Sequence, residues 1–548
     1  MKNVFTAICL FLFALPVNGQ YKVETLGIPA DYYSNPVITG MNPDPSICRA
    51  GDDFYLVTST FEYFPGLPIY HSKDLVHWKL IGHALSTPRS NPLIGCDDSR
   101  GGQYAPTIRY HEGTFYVIGT KYEGEGPEGI FYVSAKNPAG PWSDPVWIGE
   151  MYVDPSLEFY DGKVYLVCPD NRNPENEGAF LLGVIDLETG KFTEPLRKIA
   201  TGLGGSSPEG PHLYKIDGFY YLMTAEGGTG YQHREVIQRS RSPWGPYETS
   251  PHNPFLTNMN IPEHPFQAIG HADLIQLKDG SWWAVSLGIR PRNGRFQHLG
   301  RETFLIPVLR DESGWPLTNT GGVVQEKYPV PNLPPHPWEK EPVRDDFSSA
   351  TLNLQWNFIR NPYAKDWSLT EKPGYLRLKG SALNLSEKNS PAFVGRRQTA
   401  FDVVASAKVG FTPVAEGEEA GLVVRANGKN HYDLLITRQE GKRVVMFRKV
   451  VREKVVHTAY TDIPDGDLIL RISATDREYK FWIQPEGARP ELLGTASTRD
   501  VSNERVYGFT GVYIGMYASG NGKANTHPAD FDWFDFEEDP PLFYKWAL

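Results

Sequence analysis

Two aspartates, Asp44 and Asp154, each open the tripeptide Asp-Pro-Ser, and Glu209 stands one residue ahead of the Gly210-Pro211 pair that holds the same place in another copy of that motif. Acidic groups gathered in one pocket cannot all ionise freely, so their pKa values separate. One carboxylate then serves as a base while a neighbour keeps its proton as an acid, the division that general acid–base catalysis needs. A single Asp-Pro-Ser reads as a strand-opening turn. Two aspartates and a glutamate at related positions read as chemistry. His271 begins a fifth, looser copy, where it either serves the pocket or contacts an ion. Arg290 and Arg301 follow it as candidates to hydrogen-bond a polar ligand or tune a neighbouring acid. The chain contains no glycine-rich phosphate loop ending in Lys-Ser or Lys-Thr, no His-Glu-x-x-His and no Gly-x-Ser-x-Gly.

The motif recurs because a whole supersecondary unit recurs. Ten residues separate Pro45 from Tyr55, Pro106 from Tyr116, Pro155 from Tyr165 and Pro211 from Tyr221, and the looser copy runs from His271-Ala272-Asp273 to Trp282-Trp283. In each copy a short strand meets a turn such as Asp161-Gly162, Asp217-Gly218 or Asp279-Gly280, whose glycine supplies the positive φ of a tight hairpin. A β-rich run follows, as in Phe54–Val57 and Tyr220–Met223. Units of roughly 50–60 residues with this content match four-stranded propeller blades, so residues 35–328 are expected to form a five-bladed β-propeller. The first strand of each blade lines the central axis. Asp44, Asp154, Glu209 and His271 are therefore expected to meet at one mouth.

The proline-rich stretch 329–342 reads as a stiff linker. Residues 343–548 carry alternating strands and turns that predict a two-sheet β-sandwich. Its last strand, Phe531–Phe536, alternates strictly and is expected to pair near the start of that domain. The architecture is all-β, with almost no amphipathic helix. A formal net charge of −11 argues against nucleic acid or an anionic membrane as partner. The 13% aromatic content suits both sheet packing and sugar stacking. Residues 1–19 read as a signal peptide: Lys2 precedes the apolar run Val4–Leu15, too short to span a bilayer, and Val17-Asn18-Gly19 offers a cleavage site. The expected destination is the periplasm or the medium, without a membrane anchor. Three cysteines remain, Cys48, Cys96 and Cys168, with no disulfide or metal spacing, and are read as buried or free thiols.

At these residues the chain resembles glycoside hydrolase family 43, the five-bladed β-xylosidases and α-L-arabinofuranosidases. Asn42-Pro43-Asp44-Pro45-Ser46 is similar to the family's general-base motif. Tyr152-Val153-Asp154-Pro155-Ser156-Leu157 resembles its second aspartate, which tunes and orients the acid. Pro208-Glu209-Gly210-Pro211-His212 resembles the general-acid motif, and Ala225–Gly228 and Leu299–Thr303 also match. The distal domain is similar to a concanavalin-like sandwich (jelly-roll). The resemblance implies hydrolysis with inversion, with Asp44 as general base, Glu209 as general acid and Asp154 as modulator. The two outer roles imply a carboxyl separation of roughly 6.5–9.5 Å. It also implies Phe61, Tyr104, His271 and Arg301 around the terminal sugar. Tyr63 and Tyr104 stand where many family xylosidases carry tryptophan, which tilts the expectation from xylose toward terminal non-reducing α-L-arabinofuranose of a hemicellulose of xylan, arabinan or xyloglucan type. A β-D-xylosidase or dual-activity enzyme is the alternative, and a non-catalytic carbohydrate-binding propeller the rival of another class. No cofactor is implied as required. A structural calcium is an expectation, held through water by His271 or by Asp346 with Asp532. Oligomeric state stays open.

Overall fold

The computed structural model describes residues 32–170 and 178–540, so the expected signal peptide at 1–19 lies outside the described residues. The β-rich runs pair with their neighbours in sequence, giving five antiparallel meanders. Blade 1 is Ser46–Ala50, Asp53–Val57, Gly66–Ser72 and Lys79–Leu85. Blade 2 is Thr107–His111, Thr114–Tyr122, Gly129–Ala135 and Val146–Trp147, with Gly102–Gln103 added beside its second strand. Blade 3 is Ser156–Tyr160, Lys163–Pro169, Ala179–Asp186 and Lys191–Thr201. Blade 4 is Glu209–Ile216, Phe219–Glu226, Arg234–Ser240 and Glu248–Thr249, and blade 5 is Gln267–Gln276, Trp282–Ile289, Glu302–Arg310 and Pro316–Leu317. The repeat seen in the sequence is a repeat of register: Tyr55 pairs with Cys48, Tyr116 with Arg109, Tyr165 with Glu158 and Tyr221 with Tyr214.

Each innermost strand packs against the innermost strand of the next blade, and that of blade 5 returns to blade 1, closing the ring. A latch holds the closure. Tyr32–Ser34 pairs with Lys327–Pro329, and the Asn35 side chain both donates to Leu305 O and accepts from Leu305 N at 2.9 Å. Downstream, the segment after 329 runs beside blade 1, where the Trp338 indole donates to His77 O at 3.1 Å.

The second domain stacks two antiparallel sheets. One includes Ala529–Glu538, Val403–Gly410, Leu468–Ala474 and Glu478–Pro485, the other Tyr513–Ser519, Glu419–Asn427, Asn430–Gln439 and Lys442–Val451. Leu422, Val424, Leu434, Leu470, Ile472, Phe531 and Phe534 fill the space between them. As expected, the last strand pairs with the domain's opening residues Arg344–Asp345. Its alternation is not strict, however: a register shift opposite Lys408/Val409 leaves Trp533 half-buried and returns Phe534 to the core.

Glu419–Asn427 is buried along its whole length. The reason is that its sheet has two covered faces. Val423, Leu435, Met446, Tyr513 and Tyr517 form a second cluster with Met41, Phe61 and Tyr63 of the propeller. Phe358–Ile359 extends this joint by pairing with Tyr63–Phe64 of blade 1. The two domains therefore share a core, and helix is confined to Thr498–Val501 and Asn503–Val506 among the described residues. None of these helices is long and apolar enough to cross a membrane. Cys48, Cys96 and Cys168 are buried and form no disulfide.

Candidate active site

The residues that begin the blades reach the axis from left-handed backbone: φ is 56° at Asp44, 46° at Asp154, 56° at Gly210 and 51° at His271. Such φ is uncommon for a side-chain-bearing residue, aspartate being among the more tolerant, and persists where the surroundings over-determine it. Blade 4 explains the displaced acid. A Cβ at position 210 would sit 2.8 Å from the His271 ring, so glycine occupies the place that aspartate takes in blades 1 and 3. The carboxyl comes one residue earlier, at Glu209, and a register shift between Glu209 and His212 accompanies the step.

All three carboxylates line one pocket of about 390 Å³ including its open mouth, together with Phe61, Tyr104, His271 and Arg301. Arg301 donates to Asp44 Oδ1 at 2.6 Å, the Ser59 hydroxyl donates to Oδ2, and His271 Nδ1 lies 3.8 Å from Oδ1. Asp44 is thus held by two donors in one orientation. Asp154 Oδ2 accepts from Gly210 N at 3.3 Å. Burial, partly opposed by His271 and reinforced by the charge of Asp44, pushes Asp154 up to about 6. Glu209 is lifted well above the usual carboxylate range, first by burial and then by the charges of Asp154 and Asp44. Its neighbour is the fully buried His233, whose Nε2 lies 3.6 Å from Glu209 Oε1. Burial depresses His233 to about 3, so it stands beside the acid as a neutral ring and adds no charge that would draw off the proton.

Beneath the pocket, groups from every blade meet on one guanidinium. Arg109 of blade 2 donates to Glu158 Oε1 of blade 3 at 2.6 and 2.9 Å and to Asp273 Oδ2 of blade 5 at 2.7 Å, with His212 Nδ1 of blade 4 at 3.1 Å. Ser46 of blade 1 and Tyr214 of blade 4 each donate to Asp273 at 2.6 Å. Sequence reasoning missed this knot. Its signal was the column three residues after each repeat proline, which reads Cys48, Arg109, Glu158 and Tyr214, charged and polar where a packed inner strand has no need of charge.

The expected site residues divide. Asp44, Asp154, Glu209, Phe61, Tyr104, His271 and Arg301 come together. Arg290 does not: it is bonded to both oxygens of Glu302 at 2.6 and 2.7 Å, and Glu302 in turn caps Gly40 N at 2.9 Å. It braces the chain ahead of Asp44 instead of reaching a ligand. Tyr63 is also displaced from the sugar pocket. It is fully buried, stacked on Tyr513 of the sandwich at 3.7 Å, and accepts from Arg425 at 2.6 Å. Its phenol serves the domain joint, so only Tyr104 bears on ligand preference.

The residues expected at a calcium ion do not gather as a set of direct ligands. His271 turns to the pocket, Asp346 is an exposed cap for Ser348 N, and Asp532 pairs with Lys408 at 3.0 Å. No three His, Cys, Asp or Glu side chains among the described residues are placed to hold a metal ion. At the axis, the Arg109 guanidinium already supplies the positive charge that the carboxylates call for.

The sandwich completes the wall. Phe509 lines the pocket, with its ring 5.5 Å from Phe61 and the Arg301 guanidinium 5.9 Å from its centre. Ser99 O accepts from Phe509 N at 2.8 Å and anchors this loop to the propeller. Nothing in the strand periodicity of the second domain pointed to Phe509, because it belongs to a loop between elements. What the arrangement can do chemically is deliver a proton from a buried acid and accept one at a fixed carboxylate within the same small chamber.

The family model described as "Glycosyl hydrolases family 43" matches residues 33–316, and that described as "Beta xylosidase C-terminal Concanavalin A-like domain" matches 344–537. The "Non-reducing end alpha-L-arabinofuranosidase BoGH43B" of Bacteroides ovatus is 70% identical over 505 residues, covering 92% of this chain and 94% of its own. The "Xylosidase/arabinosidase" of Butyrivibrio fibrisolvens is 38% identical over 520 residues, covering 92% and 99%. Among solved structures, "Bacteroides ovatus Xyloglucan PUL GH43B" superposes with a TM-score of 0.91 at 69% identity, covering 92% of this chain and all of that one.

Proposed function

The chain belongs to glycosyl hydrolases family 43, and from that premise we propose that it removes a single terminal non-reducing α-L-arabinofuranose from a plant hemicellulose of xyloglucan type, or from its oligosaccharides, with inversion at the anomeric carbon. The observation that carries the reading is the division among three carboxylates of one pocket: burial and two neighbouring carboxylates lift Glu209 toward its protonated form, while Arg301 and Ser59 both donate to Asp44. A water gives its proton to Asp44 as its oxygen bonds to the anomeric carbon. The bond from that carbon to the glycosidic oxygen breaks, and the departing oxygen takes the proton of Glu209. Asp154 keeps Glu209 protonated through its charge. Arg301 and His271 are placed to meet sugar hydroxyls, and Phe61, Tyr104 and Phe509 wall a space suited to one ring.

The sugar preference is supported by the name and the 70% identity of the Bacteroides ovatus relative, and the xyloglucan context by the name of the solved chain. The Butyrivibrio fibrisolvens name keeps β-xylosidase as the second reading. Turnover of paired 4-nitrophenyl α-L-arabinofuranoside and β-D-xyloside decides between them, and proton NMR of the first-formed sugar tests inversion. Retention of the anomeric configuration would remove the assignment of Asp44 as base for water. The reading assigns no step to a metal. Export to the periplasm or medium is part of the proposal, supported by Lys2 and the apolar run Val4–Leu15 and checked by N-terminal sequencing of the mature protein.

A further inference from the structure

Phe61, Tyr104 and Phe509 wall the catalytic pocket with ring centres 5.5, 5.5 and 6.2 Å apart, yet they come from separate places in the chain. One short segment, residues 98–103, is bonded to all three. Gln103 exchanges both backbone hydrogen bonds with Phe61, at 2.9 and 3.1 Å. The Tyr104 hydroxyl returns to Arg100 O at 2.7 Å. Ser99 O accepts from Phe509 N at 2.8 Å, and the Arg100 guanidinium lies 5.2 Å from the centre of the Phe509 ring. Asp98 heads the segment, and the sandwich holds it there: one carboxylate oxygen accepts from Arg425 and the other from Gly428 N. We propose that Asp98 and Arg425 are positioning residues: their ion pair across the domain joint sets the aromatic wall on which the terminal sugar binds, though neither lines the pocket. The proposal rests on the reading of this pocket as the site of that sugar.

Two features carry it. The first is that a single guanidinium grips both ends of this frame. Besides Asp98, Arg425 donates to Glu62 Oε1 at 3.4 Å and to the Tyr63 hydroxyl at 2.6 Å, and Glu62 and Tyr63 directly follow Phe61. The second is that charge stands where packing had no need of it. The side chains of Arg425 and Glu62 are fully buried, beside the apolar cluster that joins Phe61 and Tyr63 to Val423 and Leu435. Apolar side chains would serve adhesion as well, since taking charges out of water costs about what their attraction returns. What a planar, forked donor adds is direction: it fixes the angle and register of the groups it bonds. The frame also has no slack. A Cβ at position 102 would collide with Phe61 O, and one at position 508 with the Ser99 hydroxyl, so glycine lets the backbones touch and a shift of the segment moves every ring.

Asp98→Ala cuts the tie and leaves Arg425 balanced by Glu62, so no lone charge is left buried. KM for 4-nitrophenyl α-L-arabinofuranoside should rise about fivefold or more with kcat within about twofold, the mark of lost binding common to ground and transition states. Competitive inhibition by L-arabinose, the released sugar, should weaken by the same factor. A merely structural effect would be the same in any background, so the measurement is repeated on Phe509→Ala. There one ring of the wall is already gone, and Asp98→Ala should raise KM by at most about half that factor. Asp98→Asn keeps an acceptor in place and should raise KM by about threefold; it decides alone should circular dichroism show Asp98→Ala unfolded. If wild type prefers 4-nitrophenyl β-D-xyloside, that glycoside and D-xylose replace the pair. An unchanged KM, an equal factor on both backgrounds, or a fall in kcat with KM unmoved overturns the proposal while the functional reading stands. A wild type that cleaves neither glycoside overturns both.

Discussion

Replacing Glu209 by glutamine keeps the shape of the side chain and removes only its transferable proton. The loss should therefore depend on how much the leaving group needs that proton. A sugar alkoxide departs poorly without it, whereas a nitrophenolate departs readily. Glu209 is lifted well above the usual carboxylate range by burial and by the charges of Asp154 and Asp44, the direction that an acid holding its proton for the leaving oxygen requires. A positioned general acid contributes about 10²–10⁴ in rate. At about 1.4 kcal/mol per tenfold, that is ~3–5 kcal/mol of barrier. Glu209→Gln should lose this full factor on an oligosaccharide and roughly tenfold or less on 4-nitrophenyl glycoside. Asp44→Asn should lose about 10²–10⁴ on both, because water must be activated whichever group leaves. The assay is kcat on the two substrates for wild type and both variants, with circular dichroism to establish folding. Equal losses by Glu209→Gln on both substrates would refute its role as acid, and a spared aryl substrate in Asp44→Asn would refute the role of the base.

Asp154→Asn removes the charge that acts more strongly of the two that lift Glu209, so the basic limb of the pH profile of kcat/KM should move to lower pH; a limb that stays in place refutes the part given to Asp154. The sign follows from the proton: Glu209 works while protonated, and activity is lost as pH rises through its pKa. Arg109→Met should strand two carboxylates at most 7% exposed and cost about 3–5 kcal/mol in urea unfolding, and a cost below 1 kcal/mol would show that water or an ion replaces the guanidinium. Phe509→Ala should raise KM for the aryl glycoside several-fold with a smaller change in the pH profile, since the ring walls the pocket without touching the acid's charge environment; an unchanged KM removes the sandwich from substrate binding. Excess chelator should leave the melting temperature unchanged because Arg109 balances the axial carboxylates, and a fall reversed by calcium refutes that account.

The blade repeat was legible because hairpin register is a local property: a proline, ten residues and an aromatic return at each copy, and Asp-Gly turns mark the reversals. From that repeat alone Asp44, Asp154, Glu209 and His271 could be brought to one axis, and the structure gathers them there. Glu209's off-register place was visible as a fact but had no cause until the His271 ring was seen to occupy the space a Cβ at position 210 would need. Local pattern also misled. Arg290 and Arg301 look alike in the chain, yet only the second reaches Asp44, because Glu302 captures the first. Tyr63 sits two residues from the pocket residue Phe61, yet it stacks on Tyr513 of the sandwich and stays out of the pocket.

What remained for the tertiary structure is whatever depends on residues far apart in the chain. Arg109, Glu158, His212 and Asp273 become one charge network only when five blades close a ring. Phe509 becomes part of the catalytic pocket only when the sandwich docks on blade 1. Periodicity records which way a side chain points within its own strand. It carries no information on which distant strand will stand opposite, and that is decided by how the two sheets bury their remaining apolar faces.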